Sequence, residues 1–261
     1  MLCYHGVGTL THGEDPSGLF ISRGLFRHHL DVIQGQGYDV VAVGDLWRAM
    51  AAGSAANGLG SISFDDGLVK TAREAIPDML DRGMACTIFV PTGLMGRAHP
   101  DVEDELILTG EEIQELAGEG VEIGAHTVDH LWLPGMSYAD KLDQMRRSRA
   151  TLEDLLGKPV TSMAYPYGGH DAETVRAAQE AGFELACGCS GPAPWSPLSL
   201  PRSPIFSSAT TLRLRLKMAG LYGPVHRLVA DSGPIGRWRA KPPPEPPHRE
   251  RRVRPRERTT G

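Results

Sequence analysis

Three short stretches hold residue types that do chemistry. Ser63-Phe64-Asp65-Asp66-Gly67 places two adjacent carboxylates where an apolar strand ends, the edge of an α/β fold at which active sites collect. Gly67 permits the close backbone approach that brings both into one cavity, although a helix-capping Asp is the plainer use of the same residues. His126-Thr127-Val128-Asp129-His130 sets two imidazoles four residues apart. That spacing lets both bind one metal if the segment turns helically; otherwise it is a pair on a surface helix. Thr127 stands where a zincin protease carries its general base, so a base must come from elsewhere. In Tyr165-Pro166-Tyr167-Gly168, Pro166 fixes the backbone and Gly168 allows a turn, which aims an N–H at a developing oxyanion or is a simple turn. Paired carboxylates and paired imidazoles at successive strand ends point to a metal site more strongly together than either does alone.

The elements that must position these residues alternate. Short apolar runs at 38–43, 60–64, 85–90, 121–125, 160–165 and 183–187 read as buried strands. Between them, Phe26, Leu30 and Ile33 recur at helical spacing. Thr109 and Glu112 form a capping box, and Ser137 with Asp140 opens a helix that runs to Leu156 and stops at Gly157. A further helix is expected over 172–181. Strands that are apolar on both faces, each followed by a helix, imply a mostly parallel sheet, open or closed into a barrel. The segments 51–60 and 188–204 read as loops. The chain has 261 residues, 41% of them hydrophobic and 23% charged, which excludes disordered and fibrous classes and suits one domain over 1–240. Residues 241–261 are rich in Pro and Arg and should form a disordered basic tail. The tail holds +4 of formal charge, which leaves −9 on residues 1–240 from the total of −5. A body of that sign repels a phosphate backbone, so no nucleic-acid partner is expected.

Taken in order, the three stretches resemble the TFDDG, H[ST]xxH and third motifs of the polysaccharide deacetylases, carbohydrate esterase family four. The resemblance runs from Leu2-Cys3-Tyr4-His5 through Ile88-Phe89-Val90 and Leu155-Leu156-Gly157 to Leu200-Pro201-Arg202. It implies a distorted (β/α) barrel of about seven strands that holds one divalent metal, usually zinc, and hydrolyses N-acetyl groups of amino sugars. On that reading Asp66, His126 and His130 ligate the metal, Asp65 is the general base, and the Tyr167 backbone N–H holds the oxyanion. Tyr165 and Pro166 are expected to face substrate. An N-acetylated glycan is the implied partner.

The chain departs from the family pattern in three places. The late Leu-x-His that supplies the general acid reads Leu200-Pro201-Arg202, so His5, from a permuted Tyr-His on the first strand, is assigned that role, with His170 the next candidate. The arginine two residues before the motif's proline is Ala164 here, and Arg202 is expected to orient the base from a later strand end. The fourth motif is not evident, and Trp195 is the candidate sugar platform. Alternatives are another non-peptide C–N substrate, a silent glycan-binding protein, and a membrane-surface role for the Leu- and Arg-rich stretch 212–228 with the tail. His28 and His29 read as solvated surface, and Cys187 and Cys189 as small core residues. As written the product is cytoplasmic; a start codon assigned too late would mean a lost signal or anchor, hence an exported or membrane-associated protein.

Overall fold

The computed structural model describes residues 1–10, 15, 18–53, 58–102, 105–189 and 196–219. Eight parallel strands build the main sheet: β1 (Leu2–Tyr4), β2 (Ile62–Phe64), β3 (Thr87–Val90), β4 (Glu122–Ala125), β5 (Ser162–Ala164), β6 (Leu185–Gly188), β7 (Leu200–Pro201) and β8 (Ser203–Pro204). Their order is β7-β6-β5-β4-β3-β2-β1-β8. The first and last strands of that order are consecutive in the chain and separated by Arg202 alone. β7 pairs with β6, while β8 pairs with β1 through Leu2↔Ser203. One short extended segment therefore joins the two edges and nearly closes a barrel. The expected seven strands become eight because this closing segment breaks at Arg202.

Helices cover the outside: α1 (Arg23–Gly35), α2 (Val43–Ala51), α3 (Val69–Leu80), α4 (Gly110–Gly118), α5 (Tyr138–Leu156), α6 (Ala172–Glu180) and α7 (Thr211–Met218). Their ends follow local chemistry. The Thr109 hydroxyl accepts from the Glu112 N–H and the Glu112 carboxylate accepts from the Thr109 N–H, a reciprocal cap for the start of α4. Ser137 caps α5, and Gly157 ends it in the left-handed region at φ 64°. Side chains alternate along the strands. Ile88, Val90, Met163 and Ala186 belong to the main core that packs on the helices, whereas Phe89, Ala164, Leu185, Cys187 and Leu200 form a separate small cluster. The second set, with Ser63, Thr87 and Ser162 on the same alternation, fills the barrel interior. Glu122 accepts from the Thr87 and Ser162 hydroxyls there, which satisfies a carboxylate that would otherwise be costly to bury.

Several expectations change. Segment 38–43 is not a barrel strand: Asp39–Val40 pairs only with Leu59–Gly60, and Val43 opens α2 with its N–H on the Thr87 hydroxyl. A short apolar run cannot by itself distinguish a strand from a helix start. The helix α3 was not foreseen. His29, expected on the surface, is fully buried; Tyr4 Oη lies 3.1 Å from its Nδ1 and the Ala209 carbonyl 3.2 Å from its Nε2. His28 is exposed as expected. Leu214 of α7 is buried in the core while Leu212 is exposed; residues 220–228 of the 212–228 stretch, Trp195 and the 241–261 tail lie outside the described residues. Among the described residues no helix is long and apolar enough to cross a membrane.

Candidate active site and metal centre

The three chemical stretches leave the C-terminal ends of β2, β4 and β5 and meet at one mouth of the barrel. Among the described residues, the non-glycine residues with positive φ are Asp66 (70°), Thr127 (65°), His130 (54°) and Tyr167 (57°). All four belong to these stretches. The left-handed region costs a residue with a Cβ about 1–2 kcal/mol, so strain is concentrated where the chemistry would be.

Asp66, His126 and His130 offer ligand atoms that all lie within 4.8 Å of one another, and all three residues are buried. Asp66 Oδ1 is 3.1 Å from His130 Nε2 and 3.5 Å from His126 Nε2. His126 Nδ1 donates to the Ala164 carbonyl at 2.8 Å, which fixes the tautomer and turns the Nε2 lone pair toward Asp66. Asp66 Oδ1 and His130 Nδ1 are buried without hydrogen-bond partners. Two imidazoles and a carboxylate converging in this way form a donor set that suits a divalent cation, and an unsatisfied buried carboxylate oxygen is what such a cation would satisfy. Burial opposes charge on Asp66, but His130, His126 and His99 outweigh it and hold the carboxyl well below the usual range. Burial likewise opposes charge on His126, yet Asp66 and Asp65 leave it raised; at His130 burial prevails and the pKa is lowered.

The turn that carries the two histidines is pinned from both sides. Gln144 of α5 accepts from the Val128 and Asp129 N–H groups through Oε1 and donates to Asp129 Oδ2 at 2.8 Å. From the short turn after β3, the Thr92 and Gly93 N–H groups donate to the Thr127 and Val128 carbonyls. A Cβ at Gly93 would lie 2.7 Å from a Val128 methyl, so this approach requires glycine.

Asp65, outside that group of three, is gripped by Arg202. Nη1 donates to Oδ1 at 2.6 Å and Nη2 to Oδ2 at 2.8 Å, with both side chains buried. Nη1 also donates to Ser63 Oγ, and the guanidinium lies 5.2 Å from the Phe89 ring centroid. Burial raises the Asp65 pKa, but Arg202, then His126 and His5, outweigh it and leave the carboxyl lowered. The break between β7 and β8 thus brings an arginine to the same carboxylate that Ala164 cannot reach.

The other expected residues are placed less evenly. His5 lies beside Asp65, with its Nδ1 buried and unpartnered. His170 is stacked on Tyr165 with ring centroids 4.7 Å apart, its Nδ1 3.2 Å from the Gly168 carbonyl and its Nε2 2.8 Å from Ser199 Oγ. Tyr165 is fully buried and its hydroxyl donates to the Leu198 carbonyl, and Pro166 is buried too. Both were expected to face substrate, and in this structure both side chains are buried. The exposed aromatic at this edge is Tyr167, whose hydroxyl donates to Asp101 Oδ2 at 2.9 Å and whose ring lies 4.7 Å from His130 and 6.4 Å from Trp132.

Two neighbours carried no signal in the sequence. His99 Nε2 is buried 3.6 Å from Asp66 Oδ2, with the His99 ring edge-on to His130. Its Nδ1 accepts from the Asp101 N–H, so Nε2 carries the proton that faces the carboxylate. Cys3, on β1, donates its thiol to Asp65 Oδ2 at 3.4 Å. Cys189, just past β6, neighbours Cys3.

This fold and donor set define a class of protein. The chain belongs to the polysaccharide deacetylase family, whose model matches residues 55–186, half of the chain. Over 124 residues it is 32% identical to YxkH of Bacillus subtilis (strain 168), which bears a polysaccharide deacetylase name; the match spans 48% of this chain and 42% of that relative. The Streptococcus pyogenes deacetylase PplD has a TM-score of 0.73 at 23% identity, covering 83% of this chain and 96% of its own. IcaB from Ammonifex degensii has a TM-score of 0.70 at 25% identity, over 85% and 95%. Both share the fold described above.

Proposed function

We propose that this protein hydrolyses the N-acetyl group of amino sugars in a glycan, with a divalent cation, zinc by its donor preference, held by Asp66, His126 and His130. The observation that carries this reading is the division of the adjacent carboxylates: Asp66 turns to two imidazoles, and Asp65 turns to Arg202. When bound, the cation supplies Lewis acidity, polarising the acetyl carbonyl and acidifying water so that a carboxylate held low by Arg202 is base enough. Asp65 takes the proton of the attacking water, and Arg202 keeps it ionised and oriented. The Tyr167 N–H, on its left-handed turn, faces the developing oxyanion. His5 gives a proton to the leaving amine; its unpartnered Nδ1 beside Asp65 supports this role, whereas both nitrogens of His170 are engaged. Trp132 and Tyr167 form the aromatic wall against which a sugar ring would lie.

The test is acetate release from tetra-N-acetylchitotetraose by the metal-loaded protein beside Asp65→Asn, with metal content measured on both. Release by the parent, a loss of about 10²–10⁴-fold in the variant and metal in both are expected. Equal rates would remove Asp65 from the chemistry, and a parent that binds no metal would overturn the ligand assignment.

A further inference from the structure

The mechanism leaves a pair of thiols unused at the most sensitive point of the site. Cys3 Sγ, a nitrogen of His5 and a carboxylate oxygen of Asp65 all lie within 4.8 Å of one another. None of the three belongs to the Asp66, His126 and His130 set. Asp65 Oδ2 accepts from Arg202 Nη2 at 2.8 Å and from the Cys3 thiol at 3.4 Å. A carboxylate oxygen has lone pairs for both, so the position of the thiol proton is open to a cation without evicting the guanidinium. His5 Nδ1 is buried and has no partner to lose. The Cys189 thiol neighbours Cys3 and stands outside this group of three; drawn to the ion, it would be a fourth donor.

We propose that Cys3, His5, Asp65 and Cys189 form a second cation site, beside the Asp66, His126 and His130 group, that takes a soft or borderline divalent ion such as Zn²⁺ or Cd²⁺. Sulfur, imidazole and carboxylate are the donors that tetrahedral zinc accepts, and thiolates select against Mg²⁺ and Ca²⁺. The exchange is balanced without any redox change. Each sulfur that forms a bond to the cation gives up its proton to solvent, so binding releases protons and strengthens as pH rises. The Arg202 charge opposes the incoming cation, so this site binds more weakly than one with no positive neighbour. On the deacetylase reading, an occupied second site holds the base Asp65 and the acid His5 together and stops turnover. The binding itself does not depend on that reading.

The experiment titrates the metal-depleted full-length protein with Cd²⁺ and follows both stoichiometry and the ultraviolet thiolate-to-cadmium charge-transfer absorption. The parent is expected to bind about two equivalents, with the absorption tied to one of them. Cys3→Ser with Cys189→Ser should lose the absorption and one equivalent while keeping the other, and Asp66→Asn should keep the absorption. His5→Gln, which leaves both sulfurs in place, should weaken the thiolate-linked equivalent by at least about 10-fold, with folding followed by circular dichroism. A single equivalent without the absorption in the parent overturns the site, as does absorption that survives loss of both cysteines. In a separate arm, acetate release by the parent should be inhibited by excess Zn²⁺, and Cys3→Ser should need at least about 10-fold more, relative to its own uninhibited rate. Absorption present in the parent with no inhibition overturns the blocking role alone, and no acetate release in any condition counts against the deacetylase reading and not against the site.

Discussion

Replacing Arg202 by Met tests how the proposed base, Asp65, is held. In the parent, two guanidinium nitrogens meet two carboxylate oxygens at 2.6 and 2.8 Å, with neither side chain reaching solvent. An opposite charge at such distances lowers an Asp pKa by about 1–3 units, and burial, which raises it, is left unopposed once the arginine is gone. The acid limb of kcat/KM should therefore move up by at least about 1–3 pH units in Arg202→Met. Breaking a buried pair by removing one partner costs about 3–5 kcal/mol, a large part of a typical total of about 5–15. The sign of the pH dependence should also invert. In the parent the folded pKa of Asp65 is depressed, so its contribution to stability is present above the unfolded value of about 3.9 and lost as pH falls through the folded value. In the variant the folded value lies above the unfolded one, and acidification through it relieves the penalty. Urea unfolding between pH 4 and 8, with acetate-release profiles on the same preparations, reads both effects. Asp65→Asn combined with Arg202→Met should recover much of the lost stability because the uncompensated charge is gone. An unchanged acid limb, or a double variant whose losses add within about 0.5 kcal/mol, would refute the reasoning.

Two further outcomes follow from buried histidines. His99→Ala should weaken cation binding by about 10–100-fold through loss of the imidazole behind Asp66, measured by calorimetric titration; unchanged affinity would leave His99 a packing residue. His29 is held neutral because burial lowers its pKa, which outweighs the Ala209 carbonyl, so stability should fall as pH drops below the unfolded value of about 6.5. In His29→Gln that part of the slope should disappear from unfolding midpoints taken between pH 5 and 7.

Local chemistry in the sequence reached far. Asp65-Asp66-Gly67 ends a strand, His126 and His130 are one turn apart, and Thr109, Ser137 and Gly157 mark helix ends; each of these depends on neighbours a few residues away. The family resemblance rests on the same three stretches, which is why it was legible without tertiary information. The helix starting at Val43 was not legible, because a short apolar run fits a strand or a helix start equally well until Thr87 provides a partner for its first N–H.

What the sequence by itself determined is which residues stand at the strand ends, because strand, turn and cap signals act within one or two turns of chain. Which of those ends face one another was decided by the tertiary structure. The Asp65 pair with Arg202 spans 137 residues and exists because the closing segment breaks between β7 and β8, so that the arginine points into the barrel. His99 behind Asp66, Cys3 against Asp65, Gln144 under the histidine turn and His29 beneath Tyr4 likewise depend on strand order, register and helix packing. No spacing in a linear chain encodes such meetings, since they arise only when a sheet closes and brings distant strand ends to one mouth.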